Sequence, residues 1–97
     1  MNSMESIYNT RIALDKAFHL PSNNHNLIIR KIKNKNGELI LKAKYQTFII
    51  IMNIGEYFAN AVIFKELPFN NIKKSKISAK SEKELLSKII KEVQKIK

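Results

Sequence analysis

Residues 27–45 read LIIRKIKNKNGELILKAKY. Two runs of β-forming residues flank Asn36-Gly37. Asn-Gly between such runs is the strongest short-range hairpin signal, because a type I′ turn needs positive φ at both central residues. Strands are therefore predicted over residues 27–33 and 38–45. With 36 and 37 as the loop, paired residue numbers sum to 73, so Lys35 faces Glu38 and Lys31 faces Lys42. Opposed residues share a sheet face. One face then holds Ile28, Ile32, Leu41, Ala43 and Tyr45, with Arg30 as its only charge. The other holds Lys31, Lys33, Lys42 and Lys44, with Ile29 and Ile40 among them.

Upstream of the hairpin, Met4, Ile7, Leu14 and Phe18 recur near helical spacing, with Tyr8, Ile12 and Ala17 nearby. This predicts an amphipathic helix over residues 4–19, capped by Ser3 or Ser6. Pro21 and Ser22-Asn23-Asn24 end it in a loop. Downstream, residues 47–54 are apolar on both faces and read as a central strand. No Gly or Pro marks a turn between Tyr45 and Thr47, so residues 38–54 form either one long bent strand or a hairpin with an unmarked turn. Gly55 allows the next turn. Residues 57–65 read as a fourth strand, with a helix over 56–64 as the alternative. Residues 68–80 form a polar connector. Ser81-Glu82-Lys83-Glu84 has the capping-box form, and Leu85, Leu86, Ile89, Ile90, Val93 and Ile96 make one stripe, predicting a helix over 82–96. The expected fold is α+β: an N-terminal helix, an antiparallel sheet of three to four strands, and a C-terminal amphipathic helix packed on one sheet face.

The 97 residues make one domain with room for a single core and no large cavity. Cysteine is absent. That excludes disulfides and thiolate chemistry and fits a cytoplasmic protein. Residues 1–20 lack the apolar run of a signal peptide. The longest apolar run, residues 48–52, is too short to span a bilayer, so no membrane partner is expected.

The net charge is +10, carried by sixteen lysines and two arginines. Its distribution is uneven: 0 over residues 1–26, +5 over 27–45, −1 over 46–72 and +6 over 73–97. The basicity belongs to two blocks around a neutral, apolar segment. In the first, Lys31, Lys33, Lys42 and Lys44 form a candidate phosphate-binding platform. In the second, Lys73, Lys74, Lys76 and Lys80 lie on the connector, where they either assist that platform or keep a loop solvated. Lys88, Lys91 and Lys95 share the outer face of the last helix, where they complement its dipole, and Glu84 supports Lys88 at i,i+4.

Recognisable catalytic chemistry is missing from the sequence. His19 and His25 have no acid at metal-ligand spacing. With Gly37 and Gly55 as the only glycines, there is no phosphate-cradling loop. Ser22, His25 and Asp15 make a trio without a nucleophile elbow. Glu82 and Glu84 suit a helix start. Tyr45, Phe48, Tyr57, Phe58 and Phe64 are expected in the core, Tyr45 and Tyr57 least firmly. No cofactor or metal is expected, and no enzymatic activity.

The order helix, antiparallel strands, lysines, helix resembles that of double-stranded RNA-binding domains. It departs from them in having four strands, and in placing Lys73-Lys74-Ser75-Lys76 well before the Ser81 cap. The resemblance implies nucleic acid, RNA in particular, as the partner. The expected function is therefore non-enzymatic binding of DNA or RNA through the phosphate backbone. The alternative is a small protein-interaction module of a phage or other mobile element. Such a module would dock on an acidic protein surface and inhibit or titrate a host nucleic-acid enzyme, as anti-CRISPR proteins and antitoxins do. A homodimer is compatible with either.

Overall fold

A computed structural model describes residues 3–21, 24–35 and 37–97, with backbone alone for 33–35. The elements are α1 (Ser3–Phe18), β1 (Ile28–Lys35), β2 (Glu38–Tyr45), β3 (Phe48–Ile54), β4 (Ala59–Leu67), β5 (Asn71–Ala79) and α2 (Glu82–Ile96), with a short 3-10 turn at Pro68–Asn70. The five strands form one antiparallel meander in chain order. Both helices cover the same sheet face, α1 towards β1 and α2 towards β4 and β5. The fold is α+β as expected, with one strand more.

The core lies between this sheet face and the helices. Leu39, Leu41 and Ala43 of β2, Phe48, Ile50, Met52 and Ile54 of β3, and Ala59, Ala61 and Ile63 of β4 alternate into it. The α2 stripe of Leu85, Leu86, Ile89, Val93 and Ile96 closes over them. Ser81 caps α2 by accepting from the Glu84 N–H (3.2 Å), and the Glu84 carboxylate accepts from the Lys80 N–H (2.9 Å). At the other end the Lys65 ammonium donates to the Ile96 carbonyl (2.9 Å), placing a cation where the helix dipole is negative.

Helix α1 differs from its expected face. Ser6, Thr10, Ala13, Leu14, Ala17 and Phe18 are buried, whereas Met4, Tyr8 and Ile12 are exposed. Ser6 is thus a buried residue inside the helix and does not cap it. Small side chains let α1 sit close to its neighbours, which a count of large apolar residues does not register. The helix stops at His19 (φ 56°), before Pro21. The Leu20 N–H bonds to the Asp15 carbonyl (2.8 Å) and the His19 N–H to the Lys16 carbonyl (3.3 Å), a Schellman closure without glycine.

The turns decide between the alternatives left by the sequence. Asn36 lies outside the described residues, but Lys35 pairs with Glu38 and Gly37 has φ 75°, as a two-residue hairpin requires. Tyr45 pairs with Phe48, so Gln46-Thr47 is the unmarked turn, with Gln46 taking φ 52°. The Gly55 N–H donates to the Phe58 carbonyl (2.8 Å), and the Phe58 ring lies over Gly55, where a Cβ would come within 2.3 Å of a ring carbon. The chain then enters β4 as a strand; the helical alternative for 56–64 is overturned.

The expected connector is a strand. β5 pairs with β4 along its length, from Ala59↔Ala79 to Leu67↔Asn71. Only Ile77 of β5 is buried, because an edge strand needs just one partner and lies largely beyond the core. Its lysines also deter edge-to-edge association.

Candidate functional site

Among the described residues, no element lies over the sheet face opposite the helices. Its side chains follow from the register. Across the middle run Arg30 (β1), Lys42 (β2), Ile51 (β3), Val62 (β4) and Lys76 (β5). The adjacent row runs Ile28, Lys44, Ile49, Phe64 and Lys74. A third row is polar at its centre: Ile40, Asn53, Asn60 and Ser78. The pattern is an apolar strip of Ile49, Ile51, Val62 and Phe64, half-buried and open to solvent, between two cationic columns. At ordinary strand spacing the β2 and β5 columns stand ~14 Å apart.

Among the described side chains, five cations share this face: Arg30, Lys42, Lys44, Lys74 and Lys76, all exposed. None makes an ion pair among the described residues, whereas Lys88 pairs with Glu84 (3.3 Å). The Lys74 ammonium lies 5.9 Å from the Phe64 ring centroid, which ties one column to the strip. Acids stand only at the margins: Glu38 accepts from the Asn53 amide (3.4 Å), and Glu66 lies at the end nearest the β2–β3 turn. Some of the cations elsewhere are engaged with backbone carbonyls. Arg11 donates to the Leu27 carbonyl (3.0 Å), and Lys88 donates to the Ser78 carbonyl (2.8 Å).

Beside Glu66 the open face is hollow. Lys44, Gln46, Thr47, Ile49, Phe64, Glu66 and Ile72 line a depression of about 330 Å³. On the helix side a second groove, about 460 Å³, lies between α1 and α2.

Of the seven expected lysines whose side chains are described, four reach this face, namely Lys42, Lys44, Lys74 and Lys76. The uniform 73-sum register fails because a β-bulge shifts it between Lys31 and Lys33. Arg30, not Lys31, therefore lies opposite Lys42, while Lys31 faces Leu41 on the helix side of the sheet. A bulge reverses the facing of every residue beyond it. Lys33 pairs with Ile40, and its side chain lies outside the described residues. Lys73 pairs with Lys65 on the helix side, and Lys80 sits in the turn before α2. Relative to the sequence reading, Arg30 and Lys31 exchange faces.

The aromatics divide. Phe48 packs in the core edge-on to Phe18 (ring centroids 5.0 Å), and the half-buried Tyr45 ring lies tilted against Phe18 (4.8 Å). Tyr57 and Phe58, expected inside, are exposed on the β3–β4 turn, and Phe69 is exposed on the β4–β5 turn. Phe64 alone of these joins the open face.

Among the described residues, no three His, Cys, Asp or Glu side chains converge as metal ligands, and no helix is long and apolar enough to cross a membrane. His19 has a backbone role at the end of α1. In comparisons with known proteins, no family model, no curated protein and no solved structure matches the chain. The fifth strand also separates the fold from the double-stranded RNA-binding order it resembles, and the lysine run belongs to that strand instead of leading into the last helix.

Proposed function

We propose that this protein is a non-enzymatic nucleic-acid-binding domain whose open sheet face contacts the phosphate backbone. The observation that carries the reading is the convergence of Arg30, Lys42, Lys44, Lys74 and Lys76 on one uncovered face. The two basic blocks of the sequence lie about thirty residues apart, yet the meander returns both to the same side. Neutralising phosphates with these cations releases counterions and drives binding. A face kept only for solubility has no need to hold like charges opposite each other, as Arg30 and Lys42 are held.

The test is binding of labelled DNA and RNA by fluorescence anisotropy across a salt series. Five backbone contacts on a single strand predict a log–log slope of roughly 3 to 4 in magnitude. Changing all five residues to Gln abolishes binding at about 50 mM salt, where such contacts are strongest. Changing Lys83, Lys91 and Lys95 on α2 leaves it largely intact. Absence of binding to DNA and RNA at low salt refutes the reading.

A second reading draws on a different surface. Tyr8 and Ile12 are exposed on α1 beside the groove between the helices, and exposed apolar side chains mark protein interfaces. It makes the chain a mobile-element module that inhibits or titrates a host nucleic-acid enzyme. Capture of one stoichiometric protein, resistant to nuclease and lost on Tyr8→Ser with Ile12→Ser, favours it over the first.

A further inference from the structure

We infer that the open face takes an unpaired strand, DNA or RNA, and that the hollow beside Phe64 receives one base bearing an amino group. The inference rests on the nucleic-acid reading above and deepens it. The centre of the face is the first argument. A duplex presents phosphates and sugars to a flat surface and keeps its base faces stacked inside, so the strip of Ile49, Ile51, Val62 and Phe64 would meet nothing apolar. An unpaired strand turns its bases outward, and every base has an apolar face to lay on such a strip. The cationic columns on either side then meet the backbone as it enters and leaves. Charge also argues against a second copy of the chain as the occupant, because it would set these cations against their own copies, while Glu38 and Glu66 stand at the margins of the face.

The hollow is the second argument. Its volume of about 330 Å³ is at the small end of ligand clefts, fit for one ring system. Phe64 supplies a face for stacking, Ile49 and Ile72 supply apolar walls, and Lys44 stands at the rim. Glu66 decides what enters. Its carboxylate repels a phosphate, so the hollow is not a backbone site. As an ionised acceptor it pairs with the amino groups of cytosine, adenine and guanine. The carbonyls of thymine and uracil offer it less, with a single ring N–H between two acceptors. Gln46 and Thr47 on the adjoining turn add groups that both donate and accept.

The experiment compares oligonucleotides of roughly a dozen nucleotides: oligo-C, oligo-A and oligo-T or oligo-U, as DNA and as RNA, with duplexes of equal length. Anisotropy is read on the wild type, Glu66→Gln and Phe64→Leu, each first checked for folding by circular dichroism. The expected order is oligo-C and oligo-A tighter than oligo-T or oligo-U by about fivefold, the worth of one net hydrogen bond, with duplex weakest. Glu66→Gln removes the base preference and tightens binding generally, since one negative charge is lost and an amide both donates and accepts. Phe64→Leu weakens single strands roughly five- to tenfold and leaves any duplex binding unchanged. Equal affinity for all bases, or a preference that survives Glu66→Gln, overturns the hollow and leaves the cationic face standing. Duplex binding as tight as single-strand binding overturns the unpaired-strand inference in the same way. No binding of any probe overturns both.

Discussion

The two faces of one sheet are built from the same strands and do opposite things. In β3, Ile50 is 1% exposed under the helices, while its neighbour Ile51 faces the uncovered side and is only half-buried. In β4 and β5, Lys65 points to the helix side and is spent on the last carbonyl of α2, while Lys74 and Lys76 point away and have no ion-pair partner among the described residues. Alternation thus sorts one residue type into two roles. Covered isoleucines and lysines hold the molecule together; uncovered ones are available to something outside it.

The sharpest way to break this comparison is to truncate neighbours. Ile50→Ala is expected to cost about 2–5 kcal/mol, because it removes buried methyls and leaves a cavity the core cannot close. Ile51→Ala, one residue on, is expected to cost about 1 kcal/mol, since half of that side chain already meets water. Urea unfolding followed by circular dichroism measures both. Equal costs would mean that the open face is covered in solution.

The lysines give a second contrast. Lys65→Met removes a cation from the C-terminus of α2, along with a contact 5.3 Å from the Phe48 ring centroid, and is expected to cost about 1 kcal/mol. Lys42→Gln and Lys76→Gln on the open face are expected to stay within about 0.5 kcal/mol of wild type, as surface changes do. Lys42→Gln falls on the stabilising side at low salt because it relieves repulsion from Arg30. Thermal melts at low and high salt separate the two behaviours. A marked loss in Lys42→Gln would show that the open-face lysines are structural.

How far the sequence reveals these faces depends on what each signal needs. The hairpin at 36–37, the capping box at Ser81 and the α2 stripe are local patterns, and they stand where the residues put them. The bulge in β1 leaves no such mark, since Lys31-Ile32-Lys33 alternates as well as an unbroken strand would. That single inserted residue moved Lys31 off the site and put Arg30 on it. β5 escaped detection because an edge strand with one buried residue has no apolar period to read. The site itself is non-local. It exists only because three antiparallel turns carry residues 74 and 76 back to the side that holds 42 and 44, which no window of sequence contains.

The covered side also contains a flaw that tests how dry it is. Thr10 is fully buried in α1, and its hydroxyl has no hydrogen-bond partner among the described residues. Replacing a buried, unpaired hydroxyl with a methyl of the same shape removes a desolvation penalty. Thr10→Val is therefore expected to raise stability by about 0.5–1 kcal/mol, read from the urea midpoint. A loss instead would show that the hydroxyl has a water partner and that the contact between α1 and the sheet is wetter than its packing suggests.

The smallest effect expected is at the start of α2, where the two sides meet. The Lys80 N–H bonded to its carboxylate, and secondly the Lys88 ammonium, hold the Glu84 pKa below the ordinary 4.5. A carboxyl whose folded pKa lies below its unfolded one adds stability above the unfolded value, and that stability is lost as pH falls through the folded value. The gap in thermal midpoint between wild type and Glu84→Gln is thus expected to be full at neutral pH and to close below about pH 4.5. In an NMR titration the Lys80 amide should move with the Glu84 carboxyl, at a midpoint under 4.5. Because Lys80 ends the β5 edge strand and Ser81 caps the helix, an amide that ignores the titration would mean that β5 is not fastened to α2 there. The edge that carries Lys74 and Lys76 would then be free to shift relative to the apolar strip.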